Sequence, residues 1–206
     1  MFQAAIDDPQ VGRVILDIDS PGGQVDGIPE TAARIREGRE RKPVDAVVNT
    51  MAASAAYYLA AQATSIIGSE SSVAGSIGVY AMHVDWSAAN EREGVTPSYI
   101  EAPEGGYKTE GHPNAPLGDE ARQHMQGIVN EFYGMFVRDV ARGRGVSEGA
   151  VRNDYGKGRM FTAAEARKRG MIDRIGSLDD TLARLSGQGR ATGNRAAAER
   201  ARLALA

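Results

Sequence analysis

Ser54 has the position of a nucleophile. It follows Asn49-Thr50-Met51-Ala52-Ala53, and the run from Ala55 to Ala63 reads as a buried helix, so the serine falls at a strand-to-helix junction. The first N–H groups of a helix have no acceptor within it, which leaves the amide of Ala55 free to meet an oxygen turning negative beside the serine. The plainer role for a serine here is to cap the helix. Further amides are offered by Ser20-Pro21-Gly22-Gly23, where the missing Cβ lets another group approach; a simple tight turn would use the same residues. A serine also needs a base. His83, His112 and His124 are the three histidines, and none follows Ser54 in the order of a known triad, although order alone leaves His83 and His112 open. Lysine is the alternative, provided that burial or a positive neighbour lets it hold a lone pair. Lys108, in Gly105-Gly106-Tyr107-Lys108-Thr109, is flanked by small and aromatic residues that could enclose it, against the ordinary role of a solvated loop cation.

The elements that must position these residues alternate between strand and helix. The run from Val11 to Asp19 is rich in β-formers and is broken by the Pro-Gly-Gly turn. Pro29 suits the first turn of a helix with Ala33 and Ile35 on its apolar face, and Lys42-Pro43 opens a second strand from Val44 to Val48. Residues 1–6 lead almost directly into the first strand. Further strands are expected at Ser65-Ile66-Ile67, at Ile77 to Tyr80 and around Ser98 to Glu101, with a helix near Trp86 to Arg92. Ala102 to Gly118 is a long Pro- and Gly-rich loop of the kind that often carries function, and it holds Lys108. Beyond it Met125, Ile128, Val129, Phe132, Met135, Phe136 and Val140 form one apolar stripe on a long helix, read as core or subunit contact. Thr162 with Glu165, and Ser177 with Asp180, have capping-box spacing, and Gly170 is a helix stop.

Composition narrows the chemistry. The 206 residues suffice for one buried domain, expected over residues 1–186, with an Arg/Ala-rich flexible tail at 187–206. A net charge of −3 supplies no basic field for nucleic acid. The chain has no cysteine, which rules out disulfides and thiolate chemistry, and the histidines form no ligand cluster of familiar spacing, so neither metal nor cofactor is expected. No apolar run is long enough to cross a bilayer as a helix.

Three motifs in order, Asp17-Ile18-Asp19-Ser20-Pro21-Gly22-Gly23, Met51-Ala52-Ala53-Ser54-Ala55-Ala56-Tyr57-Tyr58-Leu59-Ala60 and Gly75-Ser76-Ile77-Gly78-Val79, closely resemble the signal peptide peptidase A family. That family includes bacterial membrane-associated peptidases and tailed-phage head-maturation proteases, and the resemblance runs from about Val11 to Leu185. It implies an α/β fold, the ClpP/crotonase-like spiral of β-β-α units in a single domain, here lacking N-terminal strands that the family usually has. It also implies a Ser-Lys dyad with Ser54 as nucleophile and Lys108 as base. Ser76 matches the serine that orients the lysine, and Gly23 and Ala55 match the oxyanion-hole amides. Tyr57 and Tyr58 match recurrent aromatic positions and read as helix packing.

Ala55-Ala56 stands where the membrane-associated members usually carry Gly-Gly, which resembles the phage branch more. With the Arg/Ala-rich C-terminus, at the point where phage relatives continue into scaffold, this points to a cytoplasmic protease of prohead assembly that digests scaffold or capsid protein. The alternative is a peptidase of released signal peptides, membrane-associated through an anchor outside this sequence. A homo-oligomer is expected, with Lys108 able to act on a neighbouring subunit. Two rivals of other classes are a crotonase-type acyl-CoA enzyme, which would need neither Ser54 nor Lys108, and an inactive assembly module.

Overall fold

The computed structural model describes residues 1–191, so residues 192–206 of the expected tail lie outside the described residues. The chain divides into two compact units, residues 1–78 together with 135 onward, and residues 79–134.

The larger unit is built around one strand. The run Val44 to Val48 is fully buried and apolar except for Asp45, as suits a strand covered on both faces. It forms the start of β2 (Val44–Ala53), which pairs in parallel with β1 (Val14–Ser20) on one edge. On its other edge its first half pairs with β3 (Ser65–Gly68) and its second half with β4 (Val73–Gly75), both parallel. The sheet is completed by β5 (Met160–Thr162), antiparallel to β4, and β6 (Arg174–Ile175), parallel to β3. Asp45 is 2% exposed and is satisfied by Arg13 at 2.7 Å and by the Ser65 hydroxyl at 2.6 Å. These contacts pin the register of β1 and β3 on β2, because a buried carboxylate without partners would be costly.

Helices cover this sheet. α1 (Phe2–Asp7) packs on α2 (Ile28–Arg41) with Ile6 buried, and the Lys42 ammonium donates to the Ala5 carbonyl at 3.0 Å and to that of Asp8. Residues 2–7 are therefore helical, where a direct run into the strand was expected. α2 carries Pro29 in its first turn as expected and buries Ala32, Ile35 and Gly38, the helical spacing of one face. α3 (Ala55–Ala60) follows β2, and α6 (Glu148–Asp154), α7 (Ala163–Lys168) and α8 (Leu178–Ala191) complete the unit. The smaller unit holds α4 (Ser87–Glu93) and the first part of α5 (Asp119–Arg144); residues 135–144 of α5 belong to the larger unit.

Several expectations are corrected. β2 runs on to Ala53, because Met51, Ala52 and Ala53 find a new partner in β4. The strand expected at Ile77 to Tyr80 lies earlier, at Val73–Gly75, since Ser76 turns to φ 56 and ends the ladder. Residues 98–101 form no strand and have no ladder partner. Thr162 sits at the N-cap of α7 without a side-chain cap bond, and the Glu165 carboxylate pairs with Arg169 at 2.8 Å instead of reaching back to complete a box. The Ser177–Asp180 box does form: the Asp180 N–H donates to Ser177 Oγ at 3.0 Å and the Ser177 N–H to Asp180 Oδ2 at 2.9 Å. Along α5, Phe136, Val137, Val140 and Ala141 are core, whereas Ile128 is 45% exposed. No helix of the described residues is long and apolar enough to cross a membrane.

Candidate active site

Three strand ends converge on Ser54. In the last paired row of β2 and β4, Ala53 stands beside Gly75, and Gly75 in turn stands beside Met160 of β5. One residue beyond that row lie Ser54, Ser76 and Arg159. The Ser54 N–H donates to the Gly75 carbonyl at 2.9 Å, and the Ser76 N–H to the Arg159 carbonyl at 2.9 Å. Side chains at the C-terminal ends of parallel strands face the crevice where α/β proteins place their ligands.

The backbone here is strained. Ser54 has φ 53 and ψ −122, and Ser76 has φ 56; the only other non-glycine residue with positive φ among the described residues is Lys157, at 49. Such conformations cost roughly 1–3 kcal/mol each and persist where the surroundings over-determine them. At Ser54 the strain makes a sharp strand-to-helix turn. The serine carbonyl still accepts the Tyr58 N–H at 2.9 Å, but its hydroxyl makes no cap bond to α3. The capping role is thereby removed, and the half-buried hydroxyl makes no hydrogen bond among the described residues.

The Pro-Gly-Gly turn after β1 lies against this serine. A Cβ placed on Gly22 would stand 2.7 Å from Ser54 Cβ, 2.8 Å from the Ala53 carbonyl oxygen and 3.0 Å from the Ala55 nitrogen, and Gly22 itself has φ +101. Only glycine allows that approach. Gly22 gives its N–H to Ser20 Oγ at 3.2 Å, whereas the N–H of Gly23 has no acceptor among the described hydrogen bonds. Ala55 is the first residue of α3, so its N–H also lacks an intrahelical partner. Gly75, with φ +132, is required for the same reason on the other side: a Cβ there would lie 2.5 Å from the Arg159 carbonyl oxygen.

α3 is held from behind by buried polar bonds. The Tyr57 hydroxyl donates to the Met171 carbonyl at 2.9 Å, and that of Tyr58 to Asp139 Oδ2 at 2.6 Å. Tyr58 also stacks on Phe136 with ring centroids 4.5 Å apart. Gln62 donates to the carbonyls of Tyr58 and Asp139, both at 3.1 Å, and accepts from Arg36 at 3.0 Å. Burial pushes both phenols up from their ordinary titration range, with the Asp139 hydrogen bond adding to the effect at Tyr58, so both remain neutral donors. Sequence reasoning read the two tyrosines as packing and did not find Asp139, which lies 81 residues beyond Tyr58.

Ser54, Ala55, Gly23 and Ser76 all belong to the larger unit. Lys108 belongs to the smaller one, where it is exposed in a turn closed by its own N–H on the Gly105 carbonyl at 2.8 Å. Tyr107 does not enclose it: that ring is 68% exposed and its hydroxyl donates to Glu120 at 2.9 Å. The histidines lie in the smaller unit with partners of their own. His83 contacts the His112 carbonyl at 3.3 Å, His112 is bonded to Tyr99, and His124 stands 3.8 Å from Glu110. The close approach expected from the missing Cβ in Ser20-Pro21-Gly22-Gly23 falls at Gly22, whereas the Arg159 carbonyl was not singled out in the sequence.

The architecture matches a solved mutant of the 1510-N membrane-bound stomatin-specific protease, with a TM-score of 0.57 and 20% identity over 88% of this chain and 74% of that one. This is the mixed α/β, ClpP/crotonase-like fold expected from the motifs. The sequence profile of peptidase family S49 matches residues 36–191, and the chain belongs to that family, which is one of serine peptidases. It is 33% identical over 181 residues to the capsid assembly protease C of Escherichia phage lambda, covering 88% of this chain and 40% of that protein. It is 32% identical over 180 residues to an Enterococcus faecium protein named as a signal peptide peptidase, covering 85% of this chain and 51% of that one. The chain spans 35–56% of the length of the first curated relatives it matches.

Proposed function

We propose that the chain is a serine endopeptidase working through a Ser54–Lys108 dyad. The observation that carries this reading is the uncapped Ser54 hydroxyl at a positive-φ junction, with Gly22 pressed against it and the unpaired amide of Ala55 beside it. Ser54 Oγ attacks the scissile carbonyl while Lys108 takes its proton. The amides of Gly23 and Ala55 hold the oxyanion, and Lys108 returns the proton to the leaving amine. Water then releases the acyl group by the same route. Ser76, whose hydroxyl makes no bond among the described residues, orients the lysine. Residues 1–186 form the peptidase domain, and the site is completed in a homo-oligomer, which accounts for an exposed Lys108 in the single chain.

The substrate we favour is the scaffold or capsid protein of a phage prohead, supported by Ala55-Ala56 and by the similarity to a capsid assembly protease. The test is digestion of purified scaffold and of synthetic signal peptides, with mass spectrometry of the fragments. Ser54→Ala and Lys108→Ala should each abolish hydrolysis, whereas His83→Ala, His112→Ala and His124→Ala should not. A Lys108→Ala protein that keeps most of its activity removes the dyad. Cleavage of signal peptides with scaffold left intact removes the prohead role.

A further inference from the structure

The row that carries Ser54 and Ser76 ends on Arg159, and the loop leading into Arg159 carries a second cation, Lys157. Gly156, Lys157 and Gly158 all have positive φ, at 90, 49 and 88. The Arg159 N–H closes this loop on the Gly156 carbonyl at 3.0 Å. Gly158 Cα comes within 3.6 Å of where a Cβ on Gly78 would stand, so the loop lies along the segment that follows Ser76. A lysine held at positive φ between two glycines is an unfavourable local choice, of the kind found where position matters more than propensity.

Both side chains are exposed, and neither makes an ion pair or a side-chain hydrogen bond among the described residues. Arg13, Arg36, Arg39, Arg41, Arg144 and Arg169 of the same unit, by contrast, are engaged with carboxylates or carbonyls. Neighbouring strands are about 4.8 Å apart, so two steps from Ser54 across Ser76 to Arg159 cover about 10 Å. An extended peptide rises about 3.3 Å per residue, and one whose scissile carbonyl sits at Ser54 therefore brings its third or so neighbour to Arg159.

We infer that Arg159 and Lys157 form a basic rim of the cleft that selects substrates with an aspartate or glutamate about three residues from the scissile bond. The inference rests on the peptidase reading above. The occupant is an acidic stretch of polypeptide, held by charge-assisted hydrogen bonds to the guanidinium and ammonium groups.

The test uses three matched peptides that differ only in Glu, Gln or Lys at the third residue from the cleaved bond, set on either side of it in separate series. The parent protein should cleave the Glu peptide about fivefold faster in kcat/KM than the Gln peptide, which corresponds to about 1 kcal/mol for an ion pair open to solvent. The ratio should shrink as salt is raised. Arg159→Glu combined with Lys157→Glu should reverse the order in favour of the Lys peptide, a gain that misfolding cannot produce, and Arg159→Lys should keep the parental order. Equal cleavage of the Glu and Gln peptides by the parent in both series overturns the rim, as does a preference that survives charge reversal. Cleavage of none of the peptides, nor of any denatured protein, overturns the peptidase reading instead.

Discussion

Replacing Gly22 by alanine places a methyl group where the serine turn already is. The new Cβ would meet Ser54 Cβ at 2.7 Å, the Ala53 oxygen at 2.8 Å and the Ala55 nitrogen at 3.0 Å, and two of these three are backbone atoms that cannot swing away. Two costs combine. Holding alanine at a φ of +101 is unfavourable by roughly 1–3 kcal/mol, and relieving the overlap by backbone shifts costs roughly another 1–3 kcal/mol. Gly27 separates them, because it has φ +75 with nothing within 4 Å of its Cβ position, so Gly27→Ala bears the conformational cost without the overlap. At about 2–4 °C of melting temperature per kcal/mol for a domain of this size, and roughly 1–2 kcal/mol for an alanine in the left-handed region, Gly27→Ala should lose about 2–8 °C and Gly22→Ala several degrees more. The larger effect is on chemistry. Relief at Gly22 moves either Ser54 or the Gly23 amide, and a misplacement near 1 Å lowers rates by roughly 100-fold. The assay is the second-order rate of fluorophosphonate labelling at Ser54, read beside a thermal melt of each protein. Gly22→Ala melting with Gly27→Ala and labelling at the parental rate would refute the close approach as a determinant of the site.

The bond behind α3 makes a second prediction. Asp139→Ala leaves the buried Tyr58 hydroxyl without its acceptor and should cost roughly 1–3 kcal/mol, whereas joining it to Tyr58→Phe should cost clearly less than the sum, as urea unfolding of the four proteins would show. A third concerns pH. Asp173 resists ionisation through burial, but two hydrogen bonds from Arg144, at 2.7 and 3.0 Å, and the Ile66 N–H outweigh that and hold its carboxyl below the ordinary aspartate range. A lowered folded-state pKa means stability that is present above the unfolded value near 3.8 and lost as pH falls through the folded one. Asp173→Asn should therefore be less stable at pH 7 by roughly 1–2 kcal/mol, after allowing for solvent screening, with the difference from the parent closing in acid. A gap that stays constant down to the acid limit would contradict the pairing.

Most of what positions Ser54 could be read along the chain. Strand β1 with its Pro-Gly-Gly break, Pro29 in the first turn of α2, the buried run opening β2 and the Ser177–Asp180 box are local signals, set by propensity and by residues within a few positions of each other. The α1 helix escaped notice because six residues are too short for a periodic pattern, and its stability comes from packing on α2 and from Lys42 capping its carbonyls. Ile77 to Tyr80 and residues 98–101 have the composition of strands, but a strand exists only through a partner ladder, and the ladder at β4 had already ended where Ser76 turned. The order of the three motifs, and with it the family, was determined by the sequence alone.

The tertiary structure decided how those motifs meet. No local rule says that Gly22 must be glycine because Ser54 Cβ, 32 residues later, occupies its Cβ space. Nor does any local rule join Asp139 to Tyr58, or carry the row of Ser54 and Ser76 on to Arg159. Each of these depends on strand pairing and helix packing between distant segments. The sequence supplies the chemical groups, and only the six-stranded sheet with the helices packed on it sets Gly22 beside Ser54, Asp139 beside Tyr58 and Arg159 beside Ser76.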